Sequence, residues 1–120
     1  MDNMTLRHTA LWVSRMPIPD ITHLQFLLLA ELLGGEQTGR NLRELLEKQG
    51  HKKSAPAYYQ LMARMEDARL VKGRYEQKVV EGQIIKERVY KITAPGEAAY
   101  ESVRDFYAAI ASRRVGLEGA

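Results

Sequence analysis

The sequence contains no cysteine and only three histidines. The absence of cysteine excludes disulfide bonds, a cysteine nucleophile and every zinc site built on thiolates. The histidines, His8, His23 and His51, lie 15 and 28 residues apart, and neither spacing is that of a metal site. We therefore expect neither a metal nor any other cofactor.

Long apolar runs and targeting segments are missing as well. The longest apolar run, Phe26 to Ala30, is far shorter than the ~20 residues that cross a bilayer. The chain does not open with a basic segment followed by an apolar stretch, so no signal peptide is visible. It also lacks a P-loop, a dinucleotide-binding glycine pattern and a Ser/His/Asp arrangement, which argues against an enzyme. The sequence thus predicts a cytoplasmic protein that has no catalytic activity and no membrane partner.

The composition is that of an ordinary globular protein, but the charge is unevenly distributed. The 120 residues are 45% hydrophobic and 28% charged, which favours a single domain and excludes a disordered tail or a fibre. The net charge is +3. Residues 51–91 hold ten Lys and Arg against five Asp and Glu, a net +5, whereas the rest of the chain carries −2. A concentrated basic segment is typical of a protein that binds a polyanion.

Two segments precede the basic region. Residues 1–19 form an N-terminal extension that has the pattern of a short amphipathic helix, closed by Pro17 and Pro19. Asp20 is the expected N-cap of the next helix, which ends at Gly34-Gly35. Its apolar stripe consists of Leu24, Leu27, Leu28 and Leu32. We expect this helix to be the central element of the core.

The next two helices have clear starting signals. Thr38 is the expected N-cap of one helix, and Gly50 supplies the left-handed residue at its end. Ser54 begins the other, with Pro56 tolerated in the first turn. The apolar face of this third helix consists of Tyr58, Leu61, Met62 and Met65. The opposite face carries Ala57, Gln60, Ala63, Arg64 and Asp67.

Beyond these helices the pattern changes to a β-hairpin and a last helix. Residues 74–80 and 84–92 are rich in Val, Ile and Tyr, which is typical of paired strands. Thr93 then caps a helix predicted over residues 94–114, whose apolar stripe consists of Ala99, Val103, Phe106, Tyr107 and Ile110. The predicted fold is mainly α with a small β-hairpin: a winged helix-turn-helix domain over residues 20–93, followed by a C-terminal helix.

The charges favour one register for the hairpin. A two-residue loop at Glu81-Gly82 would place Glu76 opposite Glu87, and like charges in that position repel. A three-residue loop instead pairs Glu76 with Arg88. We therefore predict the three-residue loop.

Three segments resemble the PadR-like family of transcriptional regulators. Ser54–Glu66, SAPAYYQLMARME, is similar to that family's recognition helix, with a Ser or Thr start, a Tyr and an apolar-Glu pair. Val89–Gly96, VYKITAPG, is similar to its wing exit, and Thr38–Leu42, TGRNL, matches the start of its second helix. Arg69 departs from the pattern, because the family usually has Gly there, and Pro95-Gly96 departs because an extra residue usually separates the two. The resemblance covers about residues 20–112 and implies a dimeric DNA-binding repressor whose C-terminal helix builds the dimer.

In a winged helix domain the third helix enters the DNA major groove. Arg64 and Gln60 could then read guanine and adenine, and Ala57 would allow close approach. Tyr59 could donate to a phosphate, with a core position as the alternative. The predicted DNA-binding residues are Lys52, Lys53, Ser54, Ala57, Tyr59, Gln60, Arg64, Arg74, Lys78, Lys86 and Arg88. The alternative for each of these charges is an ordinary solvated surface.

The last helix points to a dimer. An apolar stripe of its size is rarely left in water, so we expect a second copy to cover it. The predicted dimer interface consists of Trp12, Ala99, Val103, Phe106, Tyr107 and Ile110. The alternative is that the stripe folds back onto the chain's own first helix. Trp12 could also stack on a small aromatic effector, as in drug-sensing relatives, or could simply anchor the N-terminal segment.

Together these features predict a sequence-specific regulator that binds double-stranded DNA as a homodimer and acts as a repressor. The main competing interpretation is a winged helix used only for protein interaction or dimerisation, because a fold does not fix its function. The two differ in whether the protein has salt-dependent affinity for DNA.

Overall fold

The computed structural model describes residues 20–119, with side chains described as far as Arg113. The predicted N-terminal extension, residues 1–19, and its Trp12 lie outside the described residues. Residues 21–100 form one compact unit, which holds the core and the hairpin. The residues from Glu101 onward belong to a second unit and are described separately.

Four helices and three strands follow one another along the described chain. They are α1 (His23–Leu32), β1 (Gln37–Thr38), α2 (Gly39–Lys48), α3 (Ala55–Asp67), β2 (Val71–Val80), β3 (Gln83–Ile92) and α4 (Ala94–Gly119). The strands form one antiparallel sheet in the order β1-β3-β2. The predicted winged helix fold is confirmed. Strand β1 was not predicted, because two residues are too few to show an alternating pattern.

Local caps start the helices of this unit. Thr22, and not the predicted Asp20, is the N-cap of α1. The Thr22 hydroxyl accepts from the amide of Gln25 at 3.2 Å, and the Gln25 side chain accepts from the amide of Thr22 at 3.1 Å. This reciprocal capping box satisfies two amides at once, which Asp20 could not do from two residues further out. The predicted caps Thr38 and Ser54 are confirmed by their hydrogen bonds to the third amide of each helix.

The core lies between the helices and the base of the hairpin. Its buried members are Leu28, Leu29, Leu32, Leu42, Leu46, Tyr58, Leu61, Met62, Met65, Val71 and Tyr90. The predicted apolar face of α3 is therefore confirmed. The Tyr58 hydroxyl donates to the carbonyl of Gly39 at 2.7 Å and so joins α3 to the start of α2. Because its ring is buried, the pKa of Tyr58 is raised.

The start of α4 is fixed against the end of α3. The hydroxyl of Thr93 accepts from the amide of Gly96 at 3.0 Å, which confirms Thr93 as the predicted cap. The same hydroxyl lies 2.9 Å from the carbonyl of Leu70. A Cβ on Gly96 would lie 2.0 Å from that carbonyl, so only glycine fits this close approach. One turn later Tyr100 stacks on Phe26 of α1, with ring centroids 4.9 Å apart.

The predicted register of the hairpin is wrong. Strands β2 and β3 are joined by a two-residue turn at Glu81-Gly82, and Glu76 does lie opposite Glu87. Both turn residues have positive φ, 51° and 79°. This is the geometry of the tight hairpin turn whose twist matches that of the flanking strands.

Neighbouring cations reduce the repulsion that argues against this register. Arg74 Nη2 lies 2.5 Å from Glu76, and Lys78 Nζ lies 3.9 Å from Glu87. Residues two apart on a strand share a face, so each carboxylate has a cation beside it along its own or the neighbouring strand. A rule that considers only the residues directly opposite each other ignores these two cations.

Helices α2 and α3 end in the same way but with different residues. After α2, the amides of Gly50 and His51 donate to the carbonyls of Glu47 and Leu46. After α3, the amides of Arg69 and Leu70 donate to the carbonyls of Glu66 and Met65. Both are Schellman motifs, in which the first residue past the cap is left-handed. Gly50 has φ 85° and Arg69 has φ 60°, so an arginine occupies a conformation that favours glycine.

We predict that Arg69→Gly raises the free energy of unfolding by about 0.5–1 kcal/mol, because it removes the steric cost of a side chain in the left-handed region. Arg69 is exposed, and its backbone hydrogen bonds do not need the side chain. The matched control is Gly50→Arg, which should lower the free energy of unfolding. Urea denaturation measures both. A loss of stability in Arg69→Gly would show that the arginine side chain makes a stabilising contact.

Candidate nucleic-acid interface

The outward face of α3 carries the residues that the sequence assigned to base reading. Gln60, Ala63 and Arg64 are exposed, and Ala57 is half-buried. The ring of Tyr58 is buried, whereas that of Tyr59 is 62% exposed. Tyr59 is therefore not a core residue, and its predicted contact with a phosphate stays a prediction.

Helix α3 and the hairpin form the two walls of a groove. The residues that line it are Tyr59, Ala63 and Glu66 from α3 and Tyr75, Lys86, Arg88 and Tyr90 from the hairpin. Lys86 is exposed, and it makes no ion pair with any described residue. The groove thus places an unneutralised ammonium group near an exposed phenol.

An adjoining hollow adds the start of α2 to the same surface. Gly39, Arg40 and Arg43 line it together with Tyr59, Lys86 and the carboxylate of Glu87. Sequence analysis missed both arginines, because its basic segment began at residue 51. The resemblance of residues 38–42 to a second helix was the signal that could have found Arg40.

Arg43 supports the segment that leads into α3. Its Nη2 donates to the backbone carbonyl of Lys53 at 3.0 Å. This bond holds the loop that carries Lys52, Lys53 and Ser54. Lys52 is exposed and Lys53 is half-buried. The hydroxyl of Ser54 caps α3.

One ion pair joins α3 directly to the hairpin. Arg88 Nη2 lies 2.6 Å from Glu66 Oε1, and the two side chains are only 28% and 29% exposed. The guanidinium also lies 4.6 Å from the centroid of the Tyr75 ring. A Cβ on Gly73 would lie 2.1 Å from Glu66 Oε1, so the missing side chain of Gly73 makes room for the pair. The hydrogen bond to Glu66 raises the pKa of Arg88.

Arg74 lies in a second, more exposed network. Its Nη1 and Nη2 each donate to one oxygen of Glu36 at 2.8 Å, and Nη2 also contacts Glu76. The hydrogen bond from Arg74 lowers the pKa of Glu36. Two carboxylates therefore surround this guanidinium.

The structure separates the predicted DNA contacts into two groups. Arg64, Lys52 and Lys86 have no ion pair within the part of the chain that the structure describes. Arg74 and Arg88 already hold carboxylates, and Lys78 lies 3.9 Å from Glu87. All of them stay predictions as DNA contacts, but the second group would have to release or share a protein partner.

The predicted dimer face lies on α4. Val103 is buried, Ala99 and Phe106 are half-buried, and Tyr107 and Ile110 are 50% and 44% exposed. Two large apolar side chains of this stripe thus remain in contact with solvent. Its role in a dimer stays a prediction.

Between residues 20 and 119, no helix combines the length and apolar character that a membrane span requires. The same residues contain no group of His, Asp and Glu side chains arranged to hold a metal ion.

The geometry of α2, α3 and the hairpin is that of a winged helix-turn-helix domain, and solved structures share it. A PadR-like transcriptional regulator from Bacillus cereus is 22% identical over 81% of this chain and 92% of its own, with a TM-score of 0.61. A transcriptional regulator from Clostridium thermocellum is 15% identical over 78% of this chain and 87% of its own, with a TM-score of 0.59. A PadR family regulator from Eggerthella lenta is 19% identical over 97% and 93%, with a TM-score of 0.56.

These likenesses confirm, at the level of the fold, the resemblance to PadR-like regulators that the sequence motifs indicated. No protein-family model matches the chain, and no curated protein matches it in sequence.

We predict that Glu66 and Arg88 are energetically coupled. In a double-mutant cycle of Glu66→Ala and Arg88→Ala, the free energy of unfolding should reveal a coupling of about 1 kcal/mol, because the pair is short and partly shielded from water. The matched control is the longer, more exposed pair of Lys78 and Glu87, for which we expect little or no coupling. Equal coupling in the two cycles would contradict the special role of the Glu66–Arg88 pair.

Proposed function

We propose that this protein is a transcriptional regulator that binds double-stranded DNA in a sequence-specific manner, as a homodimer and as a repressor. The observation that carries the proposal is the surface formed by α3 and the hairpin. On it Gln60 and Arg64 are exposed on α3, and Lys86, which no described carboxylate neutralises, lines the groove between α3 and the hairpin. The likeness of the fold to proteins described as transcriptional regulators supports the same function.

The proposal distinguishes contacts to base edges from contacts to phosphates. Gln60 and Arg64 read base edges in the major groove, and the small Ala57 lets the helix approach closely. Contacts to phosphates fix the position of the protein without reading sequence. We assign that role to Lys52, Lys53, Ser54, Tyr59 and Lys86, and we add Arg40 from α2; Lys78, which lies 3.9 Å from Glu87, is expected to contribute less.

Arg74 and Arg88 take a secondary place among the phosphate contacts. Each lies within 2.8 Å of a carboxylate oxygen, which offsets its charge. A phosphate gains less from a guanidinium that must share its donors with a carboxylate than from one that water alone surrounds. We therefore expect the arginines of the hairpin to contribute less to affinity than Lys86.

The first test is the affinity for duplex DNA at several salt concentrations. If a dimer makes ~4–8 phosphate contacts, the logarithm of affinity should fall with the logarithm of salt concentration with a slope of about −0.9 per contact. Fluorescence anisotropy of genomic duplex fragments measures this slope. No detectable binding at low salt would overturn the proposal and favour a winged helix that is used only for protein interaction or dimerisation.

We predict that Arg64→Ala and Lys86→Ala have different effects. Arg64→Ala should lose about 1–3 kcal/mol of specific binding energy and keep most of its affinity for random duplex. Lys86→Ala should weaken binding to both and flatten the salt slope by about one contact. The control is Lys48→Ala, since Lys48 is exposed at the end of α2 and lies outside the proposed surface. An equal loss on specific and random duplex in Arg64→Ala would contradict base reading by Arg64.

The apolar surface of α4 and the spacing of DNA turns both favour a dimer. A two-fold dimer places two reading helices about one DNA turn apart, and the exposed Tyr107 and Ile110 give α4 an apolar surface for a partner. The predicted interface consists of Ala99, Val103, Phe106, Tyr107 and Ile110, together with Trp12.

We predict that Phe106→Glu yields a monomer with much weaker binding to a palindromic site, because it buries a charge in the interface. Ala108→Glu, a change at an exposed position on the opposite side of the same helix, is the control and should remain dimeric. Light scattering gives the mass, and circular dichroism checks that each variant is folded. A wild-type mass near 13.7 kDa at micromolar concentration would refute the dimer.

A further inference from the structure

The tip of the hairpin carries an unusual pair of apolar side chains. Val79 and Ile84 lie directly opposite each other. Only the pair Val80 and Gln83 separates them from the turn at Glu81-Gly82. Each is 71% exposed, which makes them the most exposed large hydrophobic side chains in the described part of the chain. The core therefore does not account for them.

The register places this pair on the side of the hairpin that faces α3. Side chains alternate between the two faces of a strand, so Val79 shares a face with Tyr75 and Ile84 shares one with Lys86. Tyr75 and Lys86 line the groove against α3. Val79 lies about 13 Å further along the strand than Tyr75. The apolar pair thus extends the proposed DNA-binding surface outward.

The two faces of the hairpin differ in charge. In this register the strand carboxylates, Glu76 and Glu87, lie on the opposite strand face from Tyr75 and Lys86. Between Gly73 and Tyr90, the strand positions on the other face carry no acidic residue. On the opposite face Arg74 and Lys78 lie beside these carboxylates, whereas no described carboxylate pairs with Lys86 on the face with the apolar pair, so this face offers a polyanion an unneutralised ammonium group.

The residues behind the pair suit the minor groove. Gln77 and Lys86 lie opposite each other on the same face, two residues further from the turn than Val79 and Ile84. Amide and ammonium groups donate to the acceptors that A·T pairs present in the minor groove. Apolar side chains beside such donors commonly insert between base steps, which unstacks the step and bends the duplex.

We propose that Val79 and Ile84 form an apolar wedge that enters the minor groove beside the major-groove segment read by α3, and that this wedge bends the DNA. The inference rests on the proposed function and adds a mode of recognition to it. Pyrimidine–purine steps open most easily, so we expect such a step in the flank that the wedge contacts.

Another protein is a less suitable occupant of the tip. Two side chains offer much less area than the ~1,000 Å² that a specific protein interface usually buries. The tip is narrow, has donors behind its apolar pair and carries one carboxylate, Glu81, at the turn, and this shape matches a groove of about 6 Å width better than a flat protein surface.

The test replaces the pair by threonine, which keeps the branched shape that strands favour while adding hydroxyl groups. The variant is V79T/I84T. The matched control is V80T/I85T, which changes two apolar residues on the opposite face of the same tip. Sites are first selected by the wild-type protein from a pool of random duplexes. Energy transfer between dyes at the two ends of a selected duplex then reports the bend.

We expect the wild-type protein and V80T/I85T to bend the selected duplex. V79T/I84T should leave it nearly straight, bind it about ten-fold more weakly and lose the preference for a flanking pyrimidine–purine step. The central preference read by α3 should remain in all three proteins. Thermal denaturation should be nearly unchanged in V79T/I84T, because both side chains are exposed.

Several results would overturn the wedge. Binding by the wild type without a bend, or an equal bend in V79T/I84T, would refute it while leaving the proposed function intact. A lower mass of V79T/I84T than of the wild type in light scattering would show that the pair contacts another copy of the chain. No binding of duplex DNA by the wild type would remove both the wedge and the proposed function.

Discussion

The contact of Arg88 with Glu66 and Tyr75 is the interaction on which the candidate site depends. It joins the last turn of α3 to the middle of the hairpin at 2.6 Å and lies against the backbone of Gly73. Every proposed reading residue is on α3, and the wedge is on the hairpin, so this contact, together with the packing of Val71 and Tyr90 in the core, holds the two elements against each other. A short, partly shielded pair resists bending better than an exposed one, because its geometry is narrow and its charges are poorly screened.

The elements that local rules govern could be predicted from the sequence. Ser54 and Thr38 are caps because their hydroxyls reach an amide three residues away, and a spacing within one turn is visible in a single window. The contact of Arg74 with Glu36 spans 38 positions, and no local pattern shows it. The register is mispredicted for a different reason, because a rule for directly opposite residues ignores Arg74, two positions from Glu76 on the same strand, and Lys78, diagonal to Glu87.

Charge along the sequence also proved a poor map of charge on the surface. The segment 51–91 carries +5, but Arg74 and Arg88 are held by carboxylates, and one of these, Glu36, comes from outside the segment. In return Arg40 and Arg43, also outside it, line the same surface as Lys86. A polyanion interacts with the charges as they are distributed on the surface of the folded protein. Helix packing thus shifts the positive region toward the start of α2, which a count by segment could not reveal.

The same register serves both the stability of the hairpin and its charge. Because side chains alternate, a slip of one residue turns every side chain of one strand to the other face. With β2 fixed, the slip would bring Glu87 and Ile85 to the side that faces α3, and would turn Arg88 away from Glu66. Lys86 would then leave the groove that it now lines together with Tyr59. The opposition of Glu76 and Glu87, which is unfavourable in isolation, therefore belongs to the same register that puts Gln77, Lys86 and the apolar tip on the strand face with Tyr75 and lets Arg88 reach Glu66.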